Sequence, residues 1–258
     1  MNSMYDPKDR GFPDSFSLID RAQVAMLREL ASADARLVVK GGMAMRIVVG
    51  SLRLTKDIDF DRAADISTAS VKASVRKALV YGAQSARLLG HQIDELKVTE
   101  TTVRMRLSGS LAGTPVKFVV EVSGRRKLPD DCHARVTVTP PSRYGIAPFT
   151  ISAYTHDMQA ASKIAAVMSP NRNVPRDVYD LNDLRSAQPQ QLLRQHFDHQ
   201  ALVDWKNAAL AKITAITFDQ ANTELLPYIP PDLRESLNAR SWEEMTLNVA
   251  EQVERWLA

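Results

Sequence analysis

Residues 37–60, LVVKGGMAMRIVVGSLRLTKDIDF, limit how this chain can fold more than any other stretch. Leu37, Val38 and Val39 form an apolar run ending at Lys40, too short for a helix and β-branched, so it reads as a strand. Gly41 and Gly42 end that strand, because a residue without a side chain tolerates the left-handed backbone of a tight turn. The apolar stretch MAMRIVVGS then reads as a short helix begun just after Gly42. RLTKDIDF returns as a second strand, with Leu54, Ile58 and Phe60 facing a core.

That return strand carries Asp57 and Asp59. Residues i and i+2 of a strand share one face, about 6.6 Å apart along the chain. Two carboxylates so placed can reach a pair of divalent ions about 3.5–4 Å apart, the two-metal arrangement for phosphoryl and nucleotidyl transfer. Oxygen ligands without a nearby His or Cys favour Mg²⁺ or Mn²⁺ over zinc. A calcium loop starting at Asp57 fails, because its sixth position is Arg62 and its twelfth is Thr68. A D-x-D triplet alone is common. The glycine turn before it adds weight, since Gly41 and Gly42 let backbone N–H groups and a helix N-terminus approach a phosphate.

A third carboxylate should come from a neighbouring strand. In TPVKFVVEVSG, alternation puts Phe118, Val120 and Val122 on one face and Lys117, Val119 and Glu121 on the other. A mid-strand charge is unfavourable unless paired. Glu121 is therefore a metal ligand or an acceptor-activating base on one reading, and a solvent-facing strand residue on the other.

The surrounding chain suits an α/β (α+β) fold: a mixed-sheet core over residues 1–150, then a helical C-terminal region over residues 151–258 completing the active-site cleft. The first fourteen residues read as a loose lead-in with Pro7, Gly11 and Pro13. From Ser15, the residues Leu18, Ile19, Val24, Met26, Leu27 and Leu30 form one helical stripe. Residues 64–89 read as a helix, residues 96–138 as strands with Val103, Met105 and Leu107 alternating with Arg104 and Arg106, and everything after about Ser152 as helices. Trp205, Trp242 and Trp256 are expected core anchors, and His196 and His199 a surface pair on one helix.

Composition excludes several classes. The 258 residues are 45% hydrophobic and 24% charged, as in an ordinary globular protein, and their net charge of +3 permits a polyanionic partner without requiring one. The single cysteine, Cys132, rules out an internal disulfide and a zinc site built from cysteines. No signal-like or membrane-length apolar run is present, so a cytoplasmic protein without membrane attachment is expected. Neither a G-x-S-x-G elbow nor a P-loop occurs. The basic run at residues 124–127, GRRK, is a candidate RNA contact or a solvated strand end.

VVKGGMAMRI...SLRLTKDIDF resembles the opening motif of the AbiEii-like nucleotidyltransferase toxins, relatives of the MenT toxins within the DNA polymerase β-like nucleotidyltransferase superfamily. The matching positions are Lys40, Gly41, Gly42, Arg53, Thr55, Asp57, Ile58, Asp59 and Phe60. A second block, SKIAAVMSPNRNVPRDVYDLNDL, matches the family's helical Lys and R-D-x-Y/F-D-L motif at Lys163, Arg176, Asp177, Tyr179, Asp180 and Leu181. The resemblance implies a polymerase β-like core and metal-binding carboxylates at Asp57 and Asp59. It also implies a lysine, Lys163, that steadies the NTP triphosphate, and an acidic residue needed for activity at Asp180. Lys40, Gly41, Gly42, Arg53 and Thr55 fall in the nucleotide-binding motif, and Glu121 matches less securely. The prolines and asparagines between Met168 and Pro175 depart from the family's more helical run and leave the reach of Arg172 and Arg176 open. The implied activity is Mg²⁺- or Mn²⁺-dependent nucleotidyl transfer by a monomeric toxin of an AbiE-type, type IV-like system tied to phage defence. The favoured acceptor is a tRNA 3′ end, and a cognate antitoxin is encoded nearby. A protein hydroxyl or small-molecule acceptor, or a catalytically silent binding module, are the alternatives.

Overall fold

The structure, a computed structural model, describes residues 3–34, 36–62, 66–124 and 130–258. The chain divides into two compact units: Met1–Gly50 with Leu54–Tyr154, and Thr155–Ala258 joined by the short stretch Ser51–Arg53.

The first unit is built on one mixed sheet. Helix α1 (Asp14–Ala33) is followed by strand β1 (Leu37–Lys40), helix α2 (Gly41–Ala44) and a π turn at Met45–Val49. Then come β2 (Ile58–Arg62), α3 (Thr68–Ser85), β3 (Leu89–Thr99), β4 (Thr102–Leu111), β5 (Thr114–Ser123), β6 (His133–Val138) and β7 (Phe149–Tyr154). The seven strands lie in the order β3-β4-β5-β2-β1-β7-β6, with β2/β5 and β1/β7 parallel and the other pairs antiparallel. Alternation decides the faces. Val39, Ile58, Phe60, Val103, Met105, Phe118, Val120 and Val122 are buried in one core with Val24, Leu27 and Leu30 of α1 and Val71, Val75 and Leu79 of α3. Polar residues take the other face.

The second unit is helical: α4 (His156–Val167), α5 (Pro175–Asp183), α6 (Gln190–His196), α7 (His199–Thr214), α8 (Phe218–Glu224), α9 (Pro231–Arg234) and α10 (Ala239–Trp256). Side chains of Thr155, Asp198, Thr217 and Asn238 cap the first turns of α4, α7, α8 and α10 by accepting from backbone N–H groups. Trp242 and Trp256 are buried and donate their indole N–H to the carbonyls of Ile216 and Ala187, whereas Trp205 is half-buried against Phe197. Among the described residues no helix is long and apolar enough to cross a membrane.

Several expectations are corrected. The N-terminal stretch is pinned rather than loose: Met4 and Phe12 are buried, Met4 N–H donates to the Thr139 carbonyl, and Asp6 accepts from Ser17. The residues just after Ser152 are strand, not helix, because FTISAY pairs with β1 and β6 and helix starts only at His156. Strand begins at Leu89 rather than near Leu96. Asp57 lies one residue ahead of β2, which runs on through Asp61 to Arg62. His196 and His199 are not on one helix, since α6 ends at His196 and Asp198 caps a new one. Of the GRRK run only Gly124 is among the described residues.

A buried ion pair joins α1 to the turn after α2 in the first unit. Arg46 pairs with Asp20, both almost fully buried, and Tyr144 donates to the same carboxylate at 2.7 Å. Burial alone works to lower the Arg46 pKa, but Asp20 outweighs it and holds the guanidinium charged. Removing one partner of such a pair leaves an uncompensated buried charge. Asp20→Ala is expected to lower the unfolding free energy by about 3–5 kcal/mol in urea titration.

Candidate active site

Register brings the predicted residues of the first unit into one row. Lys40 of β1 is opposite Asp59 of β2, and Asp59 is paired in parallel with Glu121 of β5. Glu121 is opposite Arg104 of β4, and Arg104 opposite Lys97 of β3. Residues so paired lie on the same face, so the polar face carries the sequence plus, minus, minus, plus, plus across five strands. Asp57 sits just before β2, and its Oδ1 accepts from the Val119 N–H at 3.1 Å, two residues before Glu121. The Thr55 hydroxyl donates to the Asp57 carbonyl at 3.1 Å, and Gln23 donates to the carbonyls of Thr55 and Lys56, fixing the approach to the strand.

Gly41 explains the glycine turn. Its φ is +64°, in the left-handed region, and a Cβ there would stand 2.9 Å from Asp59 Oδ2. The Asp59 carboxylate therefore rests on a position where no side chain fits. Lys40 Nζ reaches Asp61 Oδ1 at 2.6 Å, and the Tyr154 hydroxyl donates to the other oxygen of Asp61. Asp61 thus takes Lys40 as its partner. Glu121 is not a lone buried charge: its side chain is 29% exposed and Arg104 lies at 3.5 Å.

The second unit holds a separate set. Asp177, Asp180 and Asp183 are spaced three apart on α5 and so share one side of it. Lys163 of α4 lies 2.8 Å from Asp177 and 2.5 Å from Asp180. Arg53 makes a bidentate pair with Asp180, both contacts at 2.9 Å. Arg172 reaches Asp177 at 2.6 Å, and the Ser51 hydroxyl donates to Asp183 at 2.6 Å. Burial pushes the Asp180 pKa up, but Arg53 and Lys163 prevail and hold it below the ordinary carboxylate range. Lys163 is held charged in the same way, burial being outweighed by Asp177 and Asp180. Asp183 differs. Burial raises its pKa to about 6 with help from the charge of Asp180, against the Ser51 hydrogen bond and the weaker pull of Arg53 and Arg185.

With this geometry in view, comparison with known proteins is decisive at one point. The family described as "Nucleotidyl transferase AbiEii toxin, Type IV TA system" matches residues 25–256. The chain belongs to this family. Two solved structures share its fold. JHP933 from Helicobacter pylori is 15% identical with a TM-score of 0.63, covering 95% of this chain and 94% of that one. A second H. pylori structure, described as a "putative nucleotidyltransferase", is 16% identical with a TM-score of 0.60, covering 92% and 94%. No curated protein matches the sequence.

In this AbiEii-family chain the structure brings Lys40, Gly41, Asp57, Asp59 and Glu121 together in the first unit. It brings Arg53, Lys163 and Asp180 together in the second. Gly42 follows Gly41 in α2, and Thr55 touches Asp57 only through the backbone. Arg172, whose reach the sequence left open, ends on Asp177. Sequence reading assigned no role to Asp61, Asp177, Asp183 or Ser51. The three-residue spacing of Asp177, Asp180 and Asp183 was the available signal, because three carboxylates on one side of a buried helix require cations.

Two outcomes follow from these contacts. Gly41→Ala places a side chain at positive φ and against Asp59, and should lower the unfolding free energy by about 1–2 kcal/mol. Asp183 binds its proton more tightly in the folded chain than in the unfolded one, whose carboxyl has the ordinary value of 3.8. Its stabilising effect is thus complete below about pH 4 and is lost as pH rises through about 6. Asp183→Asn should abolish this dependence, leaving the variant on the order of 2 kcal/mol more stable than the parent at pH 7 and equal near pH 4. Urea titrations of both proteins across that window read the difference directly.

Proposed function

We propose that this AbiEii-family protein is a cytoplasmic, Mg²⁺-dependent toxin that transfers a nucleotidyl group from an NTP to an RNA 3′ end, tRNA being the favoured acceptor. Its partner is a cognate antitoxin. The observation that carries the reading is the register pairing of Asp59 with Glu121, with Asp57 tied to the same stretch of β5 and Gly41 bare beneath Asp59. The donor set is entirely oxygen, which fits Mg²⁺ or Mn²⁺. Asp57, Asp59 and Glu121 are the residues that hold the cation. Bound there, it supplies charge neutralisation at the transferred phosphate and a more acidic acceptor hydroxyl.

The other residues bind and position. The bare turn at Gly41 and Gly42 leaves backbone N–H groups accessible to phosphate oxygens. Lys163 has three N–H donors, of which Asp177 and Asp180 take two, and the third is left for a phosphate oxygen. Arg53 holds Asp180 from the other side, so the lysine is kept charged and in one place. The acceptor hydroxyl gives up its proton to solvent, its oxygen bonds to the α-phosphorus, the α–β phosphoanhydride bond breaks, and pyrophosphate leaves with the bonding pair. Such a reaction needs positioning and charge stabilisation more than covalent help from the protein.

Asp59→Asn keeps the shape of the side chain and removes its charge. It should reduce Mg²⁺-dependent NTP consumption at least roughly 100-fold and relieve growth inhibition, with circular dichroism unchanged. A variant as active or as toxic as the parent would overturn the metal assignment. Incubation with each labelled NTP and total RNA tests the acceptor, since label in protein alone would shift it to a protein hydroxyl.

A further inference from the structure

Beyond Glu121 the sheet continues for two more strands, and its polar face there has a composition of its own. Lys117 of β5, Arg104 and Arg106 of β4 and Lys97 of β3 share that face, as the register pairs Glu121–Arg104–Lys97 and Val119–Arg106–Asp94 require. Ser108 and Gln92 extend it in line with Lys117. Lys97, Lys117 and Gln92 are exposed, and the Arg104 and Arg106 side chains are 45% and 35% exposed. Helices α1 and α3 pack on the opposite, apolar face, so this one is open to a partner.

The cations on it are weakly matched. Arg104 has Glu121 at 3.5 Å, and among the described residues Arg106 pairs with Asp94 at 3.9 Å. Arg106 Nε is buried and has no hydrogen-bond partner among the described residues. Its Nε is closed to a partner, so the outer guanidinium nitrogens of Arg106, with the exposed Lys97 and Lys117, are the groups that phosphate oxygens can meet. Hydroxyl and amide side chains between the cations suit the same backbone.

We propose that the open face of β3, β4 and β5 is the docking surface for the acceptor RNA, with Lys97, Arg106 and Lys117 contacting successive backbone phosphates. The inference rests on the nucleotidyltransferase reading above and adds to it where the acceptor lies. Phosphate contacts of this kind hold a strand in register without reading its bases, so this surface delivers a 3′ hydroxyl to the carboxylates largely independently of sequence. Arg104, opposite Glu121, stands at the junction of the docking face and the carboxylate row.

The test is the triple variant Lys97→Gln, Arg106→Gln, Lys117→Gln, assayed by anisotropy with a 5′-fluorescein-labelled tRNA across a salt series. Three lost contacts at about 0.7 each should reduce the slope of log affinity against log salt by about 2, with affinity down at least about tenfold at low salt. Binding of Mg²⁺·NTP, followed by equilibrium dialysis, should stay at the parent level and report an intact fold. Restoring a cation with Lys97→Gln, Arg106→Lys, Lys117→Gln should recover part of the slope. Parent-like affinity and slope in the triple variant, or no RNA binding by the parent, overturns the docking surface. Failure of the chemistry is read separately: Asp59→Asn should lose transfer while keeping parent-like RNA binding, and label in protein alone would overturn the RNA acceptor itself.

Discussion

The pairing of β2 with β5 in parallel is the constraint on which the first unit depends. It sets Asp59 beside Glu121 and, through β1 and β4, brackets the two acids with Lys40 and Arg104. Neighbouring strands lie about 4.8 Å apart, so two carboxylates in adjacent register positions repel unless a cation lies close. Arg104 meets that need at Glu121, while Lys40 at the other end turns to Asp61. A slip of β2 by one residue would turn Asp59 into the core and expose Ile58 and Phe60. The apolar face therefore enforces the position of the charged one.

The second unit solves a different problem. Asp177 and Asp180 are fully buried, which would be prohibitive for isolated carboxylates. Lys163 lies between them, Arg53 takes the far side of Asp180, and Arg172 takes that of Asp177. Three cations for two buried acids keep both ionised, against the direction in which burial pushes them. Asp183, one turn further, accepts from the Ser51 hydroxyl and feels Arg53 and Arg185 only weakly, so burial carries it the other way. The same helix thus carries acids held low and one held high, and the difference lies in the partners rather than in the residue type.

Much of this was legible in the sequence where a local period governs. Phe118, Val120 and Val122 alternate with Lys117, Val119 and Glu121, and the structure buries the first set and half-exposes or exposes the second. The glycine pair announced its turn, and the two blocks carrying Lys40 to Phe60 and Lys163 to Leu181 pointed to the family. What remained hidden depends on partners far along the chain. Ser51 and Asp183 are 132 residues apart, and Arg53 and Asp180 are 127 apart. The end of β7 from Ser152 was read into the following helix because no breaker separates SAY from it, and only pairing with β1 and β6 makes it strand. Asp57 was read as part of the strand because D-x-D fits a two-residue period, yet its carboxylate binds the backbone of β5 just before pairing of the strands begins.

Identities of 15% and 16% over nearly the whole chain show how little of the residue content the fold needs. Packing of a sheet on helices asks for apolar residues of suitable volume at alternate positions, a demand many sequences meet. The other face has no such obligation. Its residues can be exchanged without disturbing Phe60, Phe118 or Leu79, provided that charges within the sheet stay matched. One architecture can in this way keep the Gly41–Asp59 contact, which is steric, while its open strands β3 and β4 are free to suit different partners. The Gly41–Asp59 contact, where backbone geometry leaves little choice, sits beside a face whose residues no packing demand fixes.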